Sequence, residues 1–177
     1  MPRRVGGVPQ NVIAAAPRQE PIFSATVCSA HNAPRQGTNE DAMVKVEVMY
    51  EGDLHCVAVH GPSKDRITTD APVDNRGKGE HFSPTDLLGT AMGTCMLTIM
   101  GIAADSRGID IRGARAEVQK EMSAVPRRHI SKLTVRILLP ARLTERERGL
   151  MEEAARGCPV HASLGPQTEV DLGFEYI

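Results

Sequence analysis

The sequence predicts an α+β domain with antiparallel sheets and buried helices, and three observations carry that prediction. A charge-free stretch from Leu87 to Ala104 follows a helix start signal, alternating strand patterns lie on both sides of it, and a second capped helix leads into a last alternating strand. The chain has 177 residues, 41% hydrophobic and 24% charged, which is enough material for one core.

Residues 1–40 read as an N-terminal arm, partly flexible, and residues 41–177 as the domain. In the arm Pro2, Pro9, Pro17, Pro21 and Pro34 interrupt regular structure, and only Ile22 to Cys28 has strand character. From Met43 the pattern becomes strict alternation, with Val44, Val46 and Val48 on one side and Lys45, Glu47 and Met49 on the other, the mark of a half-buried strand. Glu51-Gly52-Asp53 forms a tight turn, and Leu54 to His60 returns as the second strand of a hairpin. Arg66 to Asp70 is a third extended piece, leading into the loop from Ala71 to Glu80.

The central helix begins at Ser83-Pro84-Thr85-Asp86. Ser83 is the N-cap, its hydroxyl free to accept a backbone N–H. Pro84 takes the first helical position, where a missing N–H costs nothing, and Asp86 completes the cap from the third. The helix runs through Ala104 and stops near Arg107-Gly108. An uncharged helix of this kind is either the centre of a packed core or a membrane span. Gly89, Gly93 and Gly101 with Thr90, Thr94 and Thr98 weaken the apolar run, and signals of a soluble domain flank it, so the core reading is expected and a membrane is not. The three glycines, four and eight apart, predict close approach of another backbone, a second helix or the same helix of a partner chain.

Ala114 to Met122 and Ile130 to Leu139 read as two strands joined by a turn at Pro126 to His129. Thr144 and Glu147 form a second capping box, opening a helix from Glu145 to Arg156 with Leu150, Met151, Ala154 and Ala155 on one face. That helix breaks at Gly157-Cys158-Pro159. A short helical piece, Val160 to Leu164, precedes a last strand in which Val170, Leu172, Phe174 and Tyr176 alternate with polar residues and glycine.

Charge and composition exclude several functions. With 21 basic and 22 acidic residues the net charge is −1, which offers no bulk attraction to nucleic acid or anionic lipid. Three Phe, two Tyr and no Trp leave little for base or sugar stacking, and the core must be aliphatic and rich in the 8 Met. The longest apolar stretch near the start, Val12 to Ala16, is too short for a signal peptide, so a cytoplasmic protein is expected.

Four cysteines are too few for a disulfide scaffold, and each is weighed singly. Cys28 in the arm and Cys56 in a strand read as structural. Cys95, deep in the apolar helix, reads by itself as a small buried hydrophobe. Cys158 is either a structural cap or a reactive thiol: the break at Pro159 frees backbone amides that can stabilise a thiolate, and His161 follows one turn later as a proton partner. Cys158, His161, His55, His60 and His81 are metal-ligand types, but Cys-Pro-Val-His is a single half-pair without a second at zinc-like spacing, so no metal is expected. Gly77-Lys78-Gly79 lacks the residues that complete a phosphate cradle.

Ser83-Pro84-Thr85-Asp86-Leu87-Leu88 followed by Gly93-Thr94-Cys95, with Gly157-Cys158-Pro159-Val160 further on, resembles the OsmC/Ohr family of thiol-dependent peroxidases over roughly Val44 to Tyr176. The resemblance implies an intertwined homodimer whose sheets wrap around long central helices, with reactive sites near the subunit interface. It implies Cys95 as peroxidatic cysteine and Cys158 as its resolving partner, an organic hydroperoxide as substrate, an external dithiol as reductant and no cofactor. The apolar neighbours Met92, Met96, Leu97 and Ile99 would favour an organic over an inorganic peroxide.

The chain departs from the best-studied family peroxidases at two points. Their helix carries a Glu ten residues before the cysteine, where this chain has Thr85, with Asp86 beside it. They place an Arg in the loop after the first strand of the hairpin, where this chain has Glu51-Gly52-Asp53. A buried thiol needs a cation to ionise at neutral pH. Lys64, Arg66, Arg76 and Lys78 precede the helix; Arg66, on an extended segment that holds its direction, is the expected supplier, and Asp86 is expected to support the site or only to cap the helix. The rival expectation is a non-enzymatic dimer of the same fold that binds an apolar ligand or senses redox state.

Overall fold

The computed structural model describes residues 43–177; the strand expected at Ile22 to Cys28, and Cys28 itself, lie outside the described residues. The alternating valines of the first hairpin build a three-stranded antiparallel sheet from β1 (Val46–Gly52), β2 (His55–His60) and β3 (Arg66–Thr69), in that order. Gly52, Asp53 and Leu54 all take positive φ, so the chain reverses in a tight left-handed turn. One expectation is corrected here. The alternation in β1 predicts a buried face, yet Val46, Val48 and Met49 are 52%, 66% and 60% exposed, so both faces of the strand are open. Within the described chain β1 pairs with β2 but has no second layer to pack on.

α1 (Pro84–Asp105) starts as its capping residues require. Asp86 N–H donates to the Ser83 hydroxyl at 3.1 Å, and Ser83 N–H donates to the Asp86 carboxylate at 2.8 Å. Its apolar surface divides by side-chain size. Met92, Met96 and Met100, stacked at four-residue spacing, are fully buried. Thr90, Thr94 and Thr98 face outward and turn their hydroxyls back onto the carbonyls of Asp86, Thr90 and Thr94.

The second sheet comprises β4 (Arg115–Ser123), β5 (His129–Leu139) and β6 (Glu169–Tyr176), ordered β4-β5-β6. β4 and β5 pair antiparallel as expected. β6 runs parallel to β5, a correction to the reading of uniformly antiparallel sheets. The reason is the connection: α2 (Glu145–Arg156) and α3 (Pro159–Ala162) lie between the two strands and carry the chain back to the starting end. The core sits between this sheet and the helices. Leu133, Val135, Ile137 and Leu139 from one face of β5 meet the α1 methionines, Met151 and Ala155 of α2, and Cys158 in one cluster. Each such buried aliphatic side chain contributes about 1.5–3 kcal/mol of transfer free energy.

The glycines of α1 do receive a neighbour, but it is a strand. A Cβ on Gly93 would lie 3.1 Å from Val118 Cγ2 and 3.3 Å from Ala116 Cβ, and one on Gly89 would lie 3.4 Å from Val118 Cγ1. These two glycines therefore seat β4 on the helix, where the sequence predicts a second helix or the same helix of a partner chain. Gly101 meets nothing within 4 Å.

Candidate active site

α1, α2 and α3 converge on two thiols. Cys95 is half-buried between Met92 and Met96 on α1. Cys158 lies at the junction of α2 and α3 and is 1% exposed. Gly157 ends α2, Cys158 N–H donates to the Ala155 carbonyl at 3.2 Å, and Ala162 N–H donates to the Cys158 carbonyl at 3.1 Å. Pro159, at the first position of α3, cannot continue the α2 hydrogen bonds, and so the chain turns with Cys158 facing the core.

Cys95 packs against the core cluster that holds Cys158, both as free thiols. Burial pushes the Cys158 thiol up, and the Cys95 thiol adds to the effect; the backbone N–H groups of His161 and Val160 oppose it without prevailing. The amides that sequence reading assigns to Cys158 are therefore present, but desolvation outweighs them. His161 acts here through its backbone.

Asp86 belongs to the start of α1, about 13 Å from Cys95 along the helix axis at 1.5 Å per residue. Its carboxylate accepts from Lys120 Nζ at 2.6 Å as well as from Ser83 N–H. Burial works to raise its pKa, but the hydrogen bonds from Lys120 and Ser83 prevail and hold the carboxyl below the usual range. Arg66 stands exposed on β3 of the other sheet, opposite Val59.

Lys120 is a residue that sequence reading passed over. Besides Asp86 it donates to Thr85 Oγ1 at 2.8 Å and to Ser83 Oγ at 3.4 Å, tying β4 to the first turn of α1. The signal was available: Lys120 occupies the inward phase of β4 with Ala116, Val118 and Met122, where a lysine requires a partner. Beside it runs a groove of about 740 Å³ lined by Gly89, Gly93, Leu97, Ala116, Val118 and Lys120.

Residues 77–173 match the family model described as OsmC-like protein. Among solved structures, the chain is similar to a candidate osmotic stress induced and detoxification response protein of Psychrobacter arcticus, with 44% identity and a TM-score of 0.71 over 75% of this chain and 96% of that one. An organic hydroperoxide resistance protein OsmC of Legionella pneumophila shares the fold at 12% identity, TM-score 0.62, over 75% and 96% of the two chains. So does an organic hydroperoxide resistance protein of Elizabethkingia anophelis, at 15% identity, TM-score 0.62, over 76% and 96%. No curated protein matches the sequence.

Proposed function

This chain belongs to the OsmC-like protein family, and on that premise we propose that it reduces organic hydroperoxides through Cys95 and Cys158. The observation that carries the reading is that half-buried Cys95 packs against the cluster enclosing Cys158, close enough to act on the Cys158 thiol. Solved structures of the same fold come from proteins described as organic hydroperoxide resistance proteins.

The chemistry runs in three steps. The Cys95 thiolate attacks the terminal oxygen of ROOH; the O–O bond breaks, the alkoxide takes a proton and leaves as an alcohol, and Cys95 becomes a sulfenic acid. The Cys158 sulfur then attacks the Cys95 sulfur, its proton and the hydroxide leaving together as water, and a disulfide forms. An external dithiol exchanges with that disulfide, is itself oxidised, and restores both thiols. The methionines beside Cys95 suit an apolar peroxide. Arg66 is the proposed activating cation, and Asp86 supports the site through the α1 cap.

The dimer implied by the family fits surface that a single chain leaves open. Val48 and Met49 on β1, Ile67 on β3 and Ile102 on α1 are 66%, 60%, 49% and 63% exposed. The second reading, a non-enzymatic dimer that holds an apolar ligand, draws on the groove along α1. A steady-state assay with cumene hydroperoxide and dihydrolipoamide separates the two. Turnover by the wild type that disappears in Cys95→Ser is the expected result; no turnover above the variant leaves the ligand-binding reading.

A further inference from the structure

A second group of side chains gathers on the far side of the first sheet's loop, from segments that the sequence keeps apart. His55 opens β2, Asp70 follows β3, and Glu80 lies in the loop before α1. Asp70 is fully buried. Its Oδ2 accepts from the backbone N–H groups of Lys78 at 3.1 Å and Glu80 at 3.0 Å, which fixes the carboxylate and aims Oδ1 at His55. Oδ1 and His55 Nε2 are both enclosed, and neither has a hydrogen-bond partner among the described residues. The His55 ring is held in turn by an edge-to-face contact with His81 at 5.9 Å.

The distances distinguish two ways of satisfying these atoms. His55 Nε2 lies 3.5 Å from Asp70 Oδ1 and 3.6 Å from Glu80 Oε2. A proton on Nε2 would draw one carboxylate to within about 2.7–3.2 Å, whereas here both stand off by nearly the same amount. Ligands on a tetrahedral ion with bonds of about 2.0–2.2 Å have donor atoms about 3.3–3.6 Å apart, the spacing that His55 Nε2 keeps from both carboxylates. All three donor atoms lie within 4.8 Å of one another.

We propose that His55 Nε2, Asp70 Oδ1 and Glu80 Oε2 form a three-ligand site for a divalent transition ion of the Zn²⁺ type. One imidazole and two carboxylates are ligands such an ion accepts, and their two negative charges balance it. The backbone bonds to Asp70 Oδ2 are the outer support that such a ligand needs. Glu80, whose side chain is 56% exposed, leaves the fourth position on the solvent side. The site is separate from Cys95 and Cys158 and stands or falls independently of the peroxidase reading.

The test is titration of the full-length chain with Co²⁺, followed by visible absorption. The expected result is one equivalent of tetrahedral d–d bands, without the intense sulfur-to-cobalt charge transfer of a thiolate site, displaced by Zn²⁺. His55→Ala and Glu80→Ala should each weaken binding by at least about tenfold, with circular dichroism and melting confirming that both variants fold. Binding that is unchanged in the variants, that shows sulfur charge transfer, or that is absent at millimolar Co²⁺ overturns the proposal. In those cases His55 and Asp70 are a buried imidazole–carboxylate pair.

Discussion

Cys95 packs against the core cluster that encloses Cys158, and it adds to burial in holding the Cys158 thiol above the ordinary thiol range. A thiol held above the ordinary range is protonated at neutral pH, and on the proposed mechanism Cys95 reacts first. One equivalent of cumene hydroperoxide should remove two thiols from the wild type. Cys158→Ser should lose one, with Cys95 trapped as sulfenic acid by dimedone, and Cys95→Ser should lose none on the same timescale. Rapid loss of two thiols in Cys95→Ser would assign the attack to another residue.

The same burial links the site to alkaline stability. A thiol whose folded pKa exceeds its unfolded value, about 8.5, contributes stability that is complete below the unfolded pKa and is lost as pH rises through the folded one. Tyr176, pushed up to about 12 by burial and by its 2.7 Å hydrogen bond to Glu152, acts in the same direction at higher pH. Urea midpoints should fall as pH rises above 8.5, and fall less in Cys158→Ala. Equal slopes in the two proteins would mean that Cys158 ionises as freely folded as unfolded.

Arg66 carries the activation prediction. If its guanidinium supports the Cys95 thiolate, Arg66→Ala slows iodoacetamide alkylation of Cys95 severalfold at pH 7 and leaves the rate unchanged once the pH exceeds the thiol pKa. Equal rates at pH 7 assign activation to a different cation.

The start of α1 is more deeply enclosed than that of α2, and the two caps should differ in cost. Ser83 is 1% exposed and its hydroxyl serves both Asp86 N–H and the Thr85 hydroxyl, whereas Thr144 is exposed. Ser83→Ala is expected to cost about 1.5–2 kcal/mol and Thr144→Ala about 0.5–1 kcal/mol. Urea denaturation measures both, and a reversed order would show that the buried cap is not what holds α1 in place.

Two glycines of one helix should respond differently to alanine. Gly101 has open space around it, so Gly101→Ala gains helix propensity of about 0.5–1 kcal/mol. Gly93→Ala pushes a methyl to 3.1 Å from Val118 and should show no gain. Thermal melting reads the difference. A loss of stability in Gly101→Ala would reveal a surface from outside this chain packed on that position.

Local chemistry wrote the elements into the sequence. Ser83 with Asp86 and Thr144 with Glu147 specify where two helices begin, because capping is settled within four residues, and the alternation of β4 and β5 announces strands whatever lies around them. The pairing of Cys95 with Cys158 was legible only as what the resemblance of their motifs to the family implies. Only the tertiary structure decided that β6 runs parallel to β5, that Lys120 closes onto Asp86, and that β4 occupies the glycines of α1. It also brought His55, Asp70 and Glu80 together from three segments. Each of these depends on where distant segments meet once the core has formed, and a carboxylate such as Asp70 has no local signature that separates a solvated turn residue from a buried one.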